Sequence, residues 1–241
     1  MNTVIEADGL TRYYGDLAAV DNVSLSVGAG SLFGLLGPNG SGKTTMIRML
    51  TGQVRPSSGK ATVLGVDVVK DPVLARVKVG IIPEQETPPS FLTASEYLDF
   101  VAKIRKIDSP GEKARWWFGF LDFADKKDVL CKDLSRGTRQ KLMFAQAFLH
   151  HPALALIDEP LINFDPVMQK TVKEYLREYV REGGTIFLST HILEVAEEIC
   201  SDVAILHRGQ IVHSGPVAAI LARKEKLSEF FLNAVGKDTY A

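Results

Sequence analysis

The stretch Gly37-Pro38-Asn39-Gly40-Ser41-Gly42-Lys43-Thr44-Thr45 constrains this chain more than any other, because it fits G-x-x-x-x-G-K-[ST] and sits between two ordered patterns. The five residues before it, 32–36, are all apolar or glycine, and after it Met46, Met49 and Leu50 recur at helical spacing. Strand, glycine-rich loop and helix is the context in which the pattern has a mechanical meaning. The glycines let successive backbone N–H groups curl around phosphate oxygens at a helix N-terminus, Lys43 reaches the outer phosphates, and Thr44 offers its hydroxyl to magnesium. Gly37, Asn39, Gly40, Ser41, Gly42, Lys43, Thr44 and Thr45 are therefore the expected phosphate-binding residues.

Five short runs, residues 32–36, 79–82, 153–157, 185–188 and 203–206, do not alternate between apolar and polar positions. A strand with one wet face would alternate, so these read as strands covered on both faces, as in a parallel sheet. Helical patterns separate them: Val172, Tyr175, Leu176 and Tyr179 share one face, as do Ile192, Val195, Ala196 and Ile199. The alternation predicts an α/β fold with a mainly parallel central sheet. Residues 23–27 do alternate, and the first quarter of the chain reads as short strands of a small antiparallel subdomain. Asp71-Pro72 and Asp165-Pro166 read as helix starts, with Asp accepting from free amides and Pro where no donor is lost.

From about residue 86 to 151 no strand-like run occurs. The capping boxes Thr93-x-x-Glu96 and Ser109-x-x-Glu112 introduce helices there, and Trp116 and Trp117 read as packing residues beside the face of Ala114, Phe118 and Leu121. At 241 residues the chain suits one large domain, 1–241. It divides into an α/β core of residues 1–85 and 152–215, an all-helical insertion of residues 86–151, and an amphipathic helical tail, 216–241, docked on the core.

Residues 154–159, Leu-Ala-Leu-Ile-Asp-Glu, form an apolar strand that ends in two carboxylates. Beside the phosphate loop, Asp158 suits the magnesium shell and Glu159 suits polarisation of an attacking water, the two roles needed for phosphoryl transfer to water. With its motifs in this order, the chain resembles the ATP-binding subunit of ABC transporters over nearly its whole length. Leu134-Ser135-Arg136-Gly137-Thr138 is similar to the family signature L-S-G-G-Q at a helix start, and the resemblance implies that Ser135 and Gly137 complete a nucleotide site on a second copy. It further implies that His191 contacts the γ-phosphate, that Tyr14 stacks on adenine, and that residues 161–165 form the D-loop. The implied fold is a P-loop NTPase core with an antiparallel β subdomain and a helical insertion. The implied reaction is ATP hydrolysis with Mg2+, Lys43, Glu159 and His191 carrying catalysis. The implied partners are an integral membrane permease and a second, identical ATPase subunit. Residues 227–232 are similar to a segment of subunits that serve ABC-2-type exporters, so export is expected.

Three departures from the family pattern stand out. The Q-loop glutamine position falls at Glu84, so either Glu84 substitutes for it or Gln85 shifts in; a carboxylate there can approach magnesium through water, so Glu84 joins Thr44 and Asp158 as expected metal residues. Arg136 and Thr138 replace a Gly and a Gln of the signature, and Ile162-Asn163-Phe164 is bulkier than the usual D-loop. Two other readings stand beside the transporter: a soluble ABC-type ATPase acting on a macromolecular assembly, and a weakly hydrolysing nucleotide-gated regulatory module. The intact Lys43, Asp158, Glu159 and His191 argue against the second.

The 28 Lys and Arg against 29 Asp and Glu leave a net charge of -1 and no general attraction to nucleic acid, so none is expected as a partner. No apolar run approaches the roughly 20 residues that span a bilayer, and the start lacks the pattern of a signal peptide. The expected location is cytoplasmic, peripheral on the inner face of the membrane through the permease. Cys131 and Cys200 have no metal-binding spacing. The proline-rich apolar run Thr87-Pro88-Pro89-Ser90-Phe91-Leu92, with the helix face around Tyr97, is the expected seat of a permease helix.

Overall fold

A computed structural model describes residues 2–85 and 88–236. The chain opens with β1 (Thr3–Tyr14) and β2 (Leu17–Gly28), each 12 residues and thus longer than the short strands expected. Val23, Leu25 and Val27 point inward along β2, and shifts in the β1–β2 register let the long pair bend without ending. Next come β3 (Leu32–Leu36), α1 (Lys43–Leu50), β4 (Ser58–Val63), β5 (Val66–Asp67), α2 (Pro72–Lys78) and β6 (Val79–Ile82). The insertion carries α3 (Ala94–Ile104), α4 (Pro110–Phe120) and α5 (Arg136–Phe148); in its described residues the only β pairing is one isolated bridge, Thr93 with Leu130. The chain returns through β7 (Leu154–Asp158), α6 (Pro166–Arg181), β8 (Thr185–Thr190), α7 (Leu193–Ile199), β9 (Asp202–His207) and β10 (Gln210–Pro216), then ends in α8 (Val217–Leu221) and α9 (Leu227–Val235).

Two sheets result. An antiparallel sheet has the order β2-β1-β4-β5, and a six-stranded sheet has the order β10-β9-β3-β8-β7-β6, in which only β10 runs antiparallel. Every residue of β3, β7 and β8 is buried, which is why their sequences do not alternate. Phe33, Leu35, Leu154, Leu156 and Phe187 face α1 and the antiparallel sheet. Leu32, Leu36, Ala155, Ile157 and Leu188 face the helical layer and the insertion.

The side-chain-capped helix starts expected from sequence form with one exception. Asp71 accepts from Leu74 N–H, Asp165 accepts from Val167 and Met168 N–H, and Thr93 with Glu96 makes both bonds of a capping box. The second box does not form: Ser109 has φ 52° and its side chain caps nothing, because a capping serine needs extended backbone. Tyr97, on the helix face expected to help seat a permease helix, packs inward in part. Its ring is partly buried against the insertion core, with the hydroxyl 4.0 Å from Met143 Sδ. Thr87, from the same expected seat, and the tail beyond residue 236 lie outside the described residues. The described tail docks on the core through Leu227, Phe231 and Val235, with Phe230 edge-on to His213 at 4.6 Å. Among the described residues no helix is long and apolar enough to cross a membrane.

Candidate functional site

The order β9-β3-β8-β7-β6 sets five parallel strand ends side by side, and the carboxyl edge of such a sheet is where α/β proteins hold ligands. Each strand delivers one group to a cleft of about 640 Å³: Arg208 and Gly209 after β9, the glycine-rich loop after β3, His191 after β8, Asp158 and Glu159 at the end of β7, and Glu84 after β6. Asn39, Gly40, Gly42, Lys43, Thr44 and Thr45 line it, with Leu17, Ala18 and Ala19 at the start of β2 and Ile162 opposite.

Two loop glycines are fixed by space. A Cβ on Gly37 would lie 2.3 Å from Leu206 O, and one on Gly42, whose φ is +109°, would lie 2.2 Å from Ala19 O. Lys43, the first residue of α1, folds back to donate from Nζ to Gly37 O at 2.7 Å and Pro38 O at 3.1 Å. Burial lowers its pKa, against the opposing pull of Glu159, Asp158 and Glu84. The Ser41 hydroxyl is buried with no hydrogen-bond partner among the described residues, while its N–H donates to Pro38 O at 3.1 Å.

Oxygen donors converge beside the loop. Thr44 Oγ1 donates to Glu84 Oε2 at 3.3 Å, and the Ser189 hydroxyl donates to Asp158 Oδ1. Burial raises the Asp158 pKa; the bonds from Ser189 and Thr44 oppose this, and Glu84 and Glu159 add to it. A hydroxyl and two carboxylates, one of them reluctant to ionise next to its neighbours, form the hard oxygen set that suits a divalent cation. No group of three or more His, Cys, Asp and Glu among the described residues is arranged to hold a metal alone, so phosphate oxygens and water would complete such a shell.

Glu159 is held from three directions. His191 N–H donates to Oε1 at 3.0 Å, His191 Nδ1 lies 2.7 Å from the same oxygen, and the Thr190 hydroxyl donates to Oε2 at 3.1 Å. Its backbone has φ 51°, a strained choice for a carboxylate residue that turns the chain sharply out of β7. The residue nonetheless lines the cleft.

Some residues expected from sequence are not brought into this cleft. Tyr14 ends β1 with its ring half exposed and the Arg12 guanidinium 4.7 Å from its centroid, one residue beyond the β1–β2 turn from the lining. Ser135 caps α5, accepting from Thr138 N–H at 3.2 Å, and a Cβ on Gly137 would lie 3.0 Å from Asn163 O. That helix start therefore packs against the loop after Glu159 rather than opening on the chain's own cleft. Sequence reasoning missed the groups that tie these parts together. Gln140 Nε2 donates to Pro160 O at 3.1 Å, and Gln146 Nε2 donates to Ile81 O at 2.7 Å, both from buried positions of α5. A signal was present for Gln146, a lone glutamine within the apolar run 142–148, which needs a buried partner; Gln140 stands between Arg139 and Lys141, where no local pattern marks burial.

Comparison with known proteins agrees with this geometry. The family model described as ABC transporter matches residues 20–162. The Nod factor export ATP-binding protein I of Rhizobium meliloti is 36% identical over 226 residues, which cover 92% of this chain and 67% of that protein. Across three such rhizobial relatives the chain spans 63% to 67% of their length. A solved ATP-binding subunit of an ABC transporter superposes with a TM-score of 0.89 at 28% identity, covering 96% of this chain and 99% of that one. The fold is shared, at 20% identity and a TM-score of 0.82, with the dimeric post-hydrolysis state of the ATP-binding cassette MJ0796 bound to ADP and Pi, covering 88% of this chain and 98% of that one.

Proposed function

The chain belongs to the ABC transporter family as an ATP-binding, ATP-hydrolysing subunit, and we propose that it binds MgATP in the cleft at the sheet edge and hydrolyses it to drive a separate membrane permease in export. The observation that carries this is the convergence of the glycine-rich loop, Asp158, Glu159, His191 and Glu84 on one surface. ATP binding would draw Lys43 from the carbonyls it now holds to the β- and γ-phosphates. Thr44, Asp158 and Glu84 would hold a magnesium ion, which when bound supplies neutralisation of phosphate charge. Glu159 accepts a proton from the attacking water, while His191 keeps that carboxylate oriented and steadies the γ-phosphate. Tyr14 stacks on adenine after its ring is released from Arg12.

Ser135 and Gly137 lie away from the chain's own cleft, which supports their use in a site completed by a second, identical copy. For the permease, large apolar side chains are left in solvent at both ends of α3. Phe91 is 76% exposed, Val77 on α2 55% and Ile104 on α3 63%. Arg105, at the end of α3, donates to Val77 O at 3.0 Å and Val79 O at 3.2 Å, so α2 and α3 meet there. Such a surface suits an amphipathic cytoplasmic helix of the permease, which would hold the subunit on the inner face of the membrane. The named function of the rhizobial relatives favours export.

Two measurements on the full chain test this. Purified protein should release phosphate from MgATP, and an integral membrane protein should co-purify with it in detergent. Phe91→Asp should weaken that association at least tenfold while ATP affinity stays within about twofold, since a buried apolar contact is replaced by a charge. Normal association of the Phe91→Asp protein would move the permease surface elsewhere.

A further inference from the structure

Arg208 lines the nucleotide cleft, yet among the described residues no hydrogen bond or ion pair occupies its guanidinium. It sits in the tight turn between β9 and β10, where His207 pairs with Gln210 and both central residues are left-handed, Arg208 at φ 47° and Gly209 at φ 80°. Asn, Asp and Gly suit that first position; a long side chain there is strained, so turn formation alone does not account for an arginine. The turn is also anchored. Gly209 N–H donates to Ser41 O at 3.0 Å, and Asp21 N–H donates to Gly209 O at 2.8 Å, bracing it between the glycine-rich loop and β2.

The sheet order decides which part of a nucleotide Arg208 would meet. From β3, which carries the loop, the strands β8, β7 and β6 lie on one side and deliver His191, Asp158, Glu159 and Glu84. The terminal phosphate belongs on that side. β9 lies on the other side of β3, and the Arg208 turn there shares the cleft wall with Leu17, Ala18 and Ala19, nearer to the end where Tyr14 stands. Resting on the ATPase reading, we propose that Arg208 is a nucleotide-binding residue whose guanidinium pairs with the α-phosphate, setting affinity for ATP and ADP alike. It takes no part in breaking the bond to the γ-phosphate.

Arg208→Asn is the decisive variant, since Asn removes the charge and suits the left-handed turn. Its nucleotide-free melting temperature should be no lower than that of the parent protein. By calorimetric titration with magnesium, the dissociation constants of ATP and ADP should both rise about five- to tenfold, as for loss of a partly exposed charge-assisted contact. AMP, measured by competition, should weaken by the same factor, and adenosine should not. KM for ATP should rise in step while kcat falls by less than about twofold, and Arg208→Lys should recover part of the loss. Unchanged affinities would leave Arg208 as a turn residue only. A loss for ATP but not for ADP and AMP would move its charge to the terminal phosphate, and either result overturns the proposal. If the parent protein itself binds no nucleotide, the ATPase reading fails first, and with it this one.

Discussion

Replacing Glu159 by Gln separates binding from chemistry, because most hydrogen bonds around the side chain can survive the exchange. The amide oxygen can face His191 N–H and Nδ1–H, now 3.0 and 2.7 Å from Oε1. The amide nitrogen then faces Thr190 Oγ1, now 3.1 Å from Oε2; that hydroxyl oxygen already accepts from Ile192 N–H and has a second lone pair to offer. The Thr190 O–H, which now donates to Oε2, loses that acceptor while every other bond is kept, so the cost in folding stability should be about 1 to 2 kcal/mol. Removing the charge also lessens repulsion of an incoming polyphosphate, so ATP affinity should hold or rise. What the amide cannot do is take a proton from water. Loss of a positioned base costs about 10²- to 10⁴-fold in rate, or roughly 3 to 5 kcal/mol of barrier. Single-turnover phosphate release with protein in excess over ATP measures this directly, and titration of ATP measures binding on the same sample. Release within threefold of the parent protein, at equal occupancy, would refute Glu159 as the base; lost binding with a lowered melting temperature would refute the claim that its surroundings tolerate the amide.

The same variant should dimerise tightly in sedimentation when MgATP is present, since each site is bound but not cleared; persistent monomers would count against the composite site. In a mixture of Lys43→Ala and Ser135→Arg chains, heterodimers place both defects in one site and keep the other intact, so activity should exceed that of either variant alone. For pH, burial first and Arg105 second depress the His150 pKa from 6.5 to about 4, with Arg105 Nη1 2.7 Å from Nε2. The folded protein thus binds fewer protons at this site than the unfolded chain, so its contribution is full above about pH 6.5 and is lost as pH falls toward 4. The melting temperature should drop across that window, and the drop should be shallower in His150→Gln, whose amide can accept from Arg105 without titrating.

The central sheet was legible because lack of alternation reports a physical fact, cover on both faces, and all five such runs became parallel neighbours. The glycine-rich loop and the Asp158-Glu159 pair were legible for a related reason: each chemistry needs contiguous residues on one loop. Strand length at the N-terminus was not, because β1 continues as a strand through Asp8, Gly9 and register shifts that read locally as breaks. Ser109 misled because the box pattern Ser109-x-x-Glu112 says nothing of backbone sign, and φ 52° removes the geometry the cap requires. Arg208 and residues 17–19 were out of reach for a different reason. Arg208 joins the cleft through the β9–β3 pairing and the Gly209–Ser41 bond, and β2 with residues 17–19 is tied to the same turn by the Asp21–Gly209 bond, contacts between segments roughly 170 to 190 residues apart that no local pattern encodes.

The departures at Glu84 and Ile162-Asn163-Phe164 bear on how occupancy of the cleft reaches the insertion. An allosteric effect needs contacts that differ between bound and free states. The bond from Thr44 to Glu84 is such a contact, because a magnesium ion would compete for both oxygens. Glu84 heads the segment into the insertion, and α5 grips the same strand through Gln146 and Ile81 O. A second tie runs from Glu159 through Pro160 O to Gln140, and from Asn163 Nδ2 to Gln140 Oε1 at 3.4 Å. Both ties end on α5, whose first turn carries Ser135 and Gly137. With Glu84 acting as the Q-loop residue, the expectation is that the route would not be cut. The route would instead be charge-sensitive: a carboxylate would be drawn to a magnesium ion more strongly than an amide, and the charge on Glu84 already adds to the upward push on the Asp158 pKa.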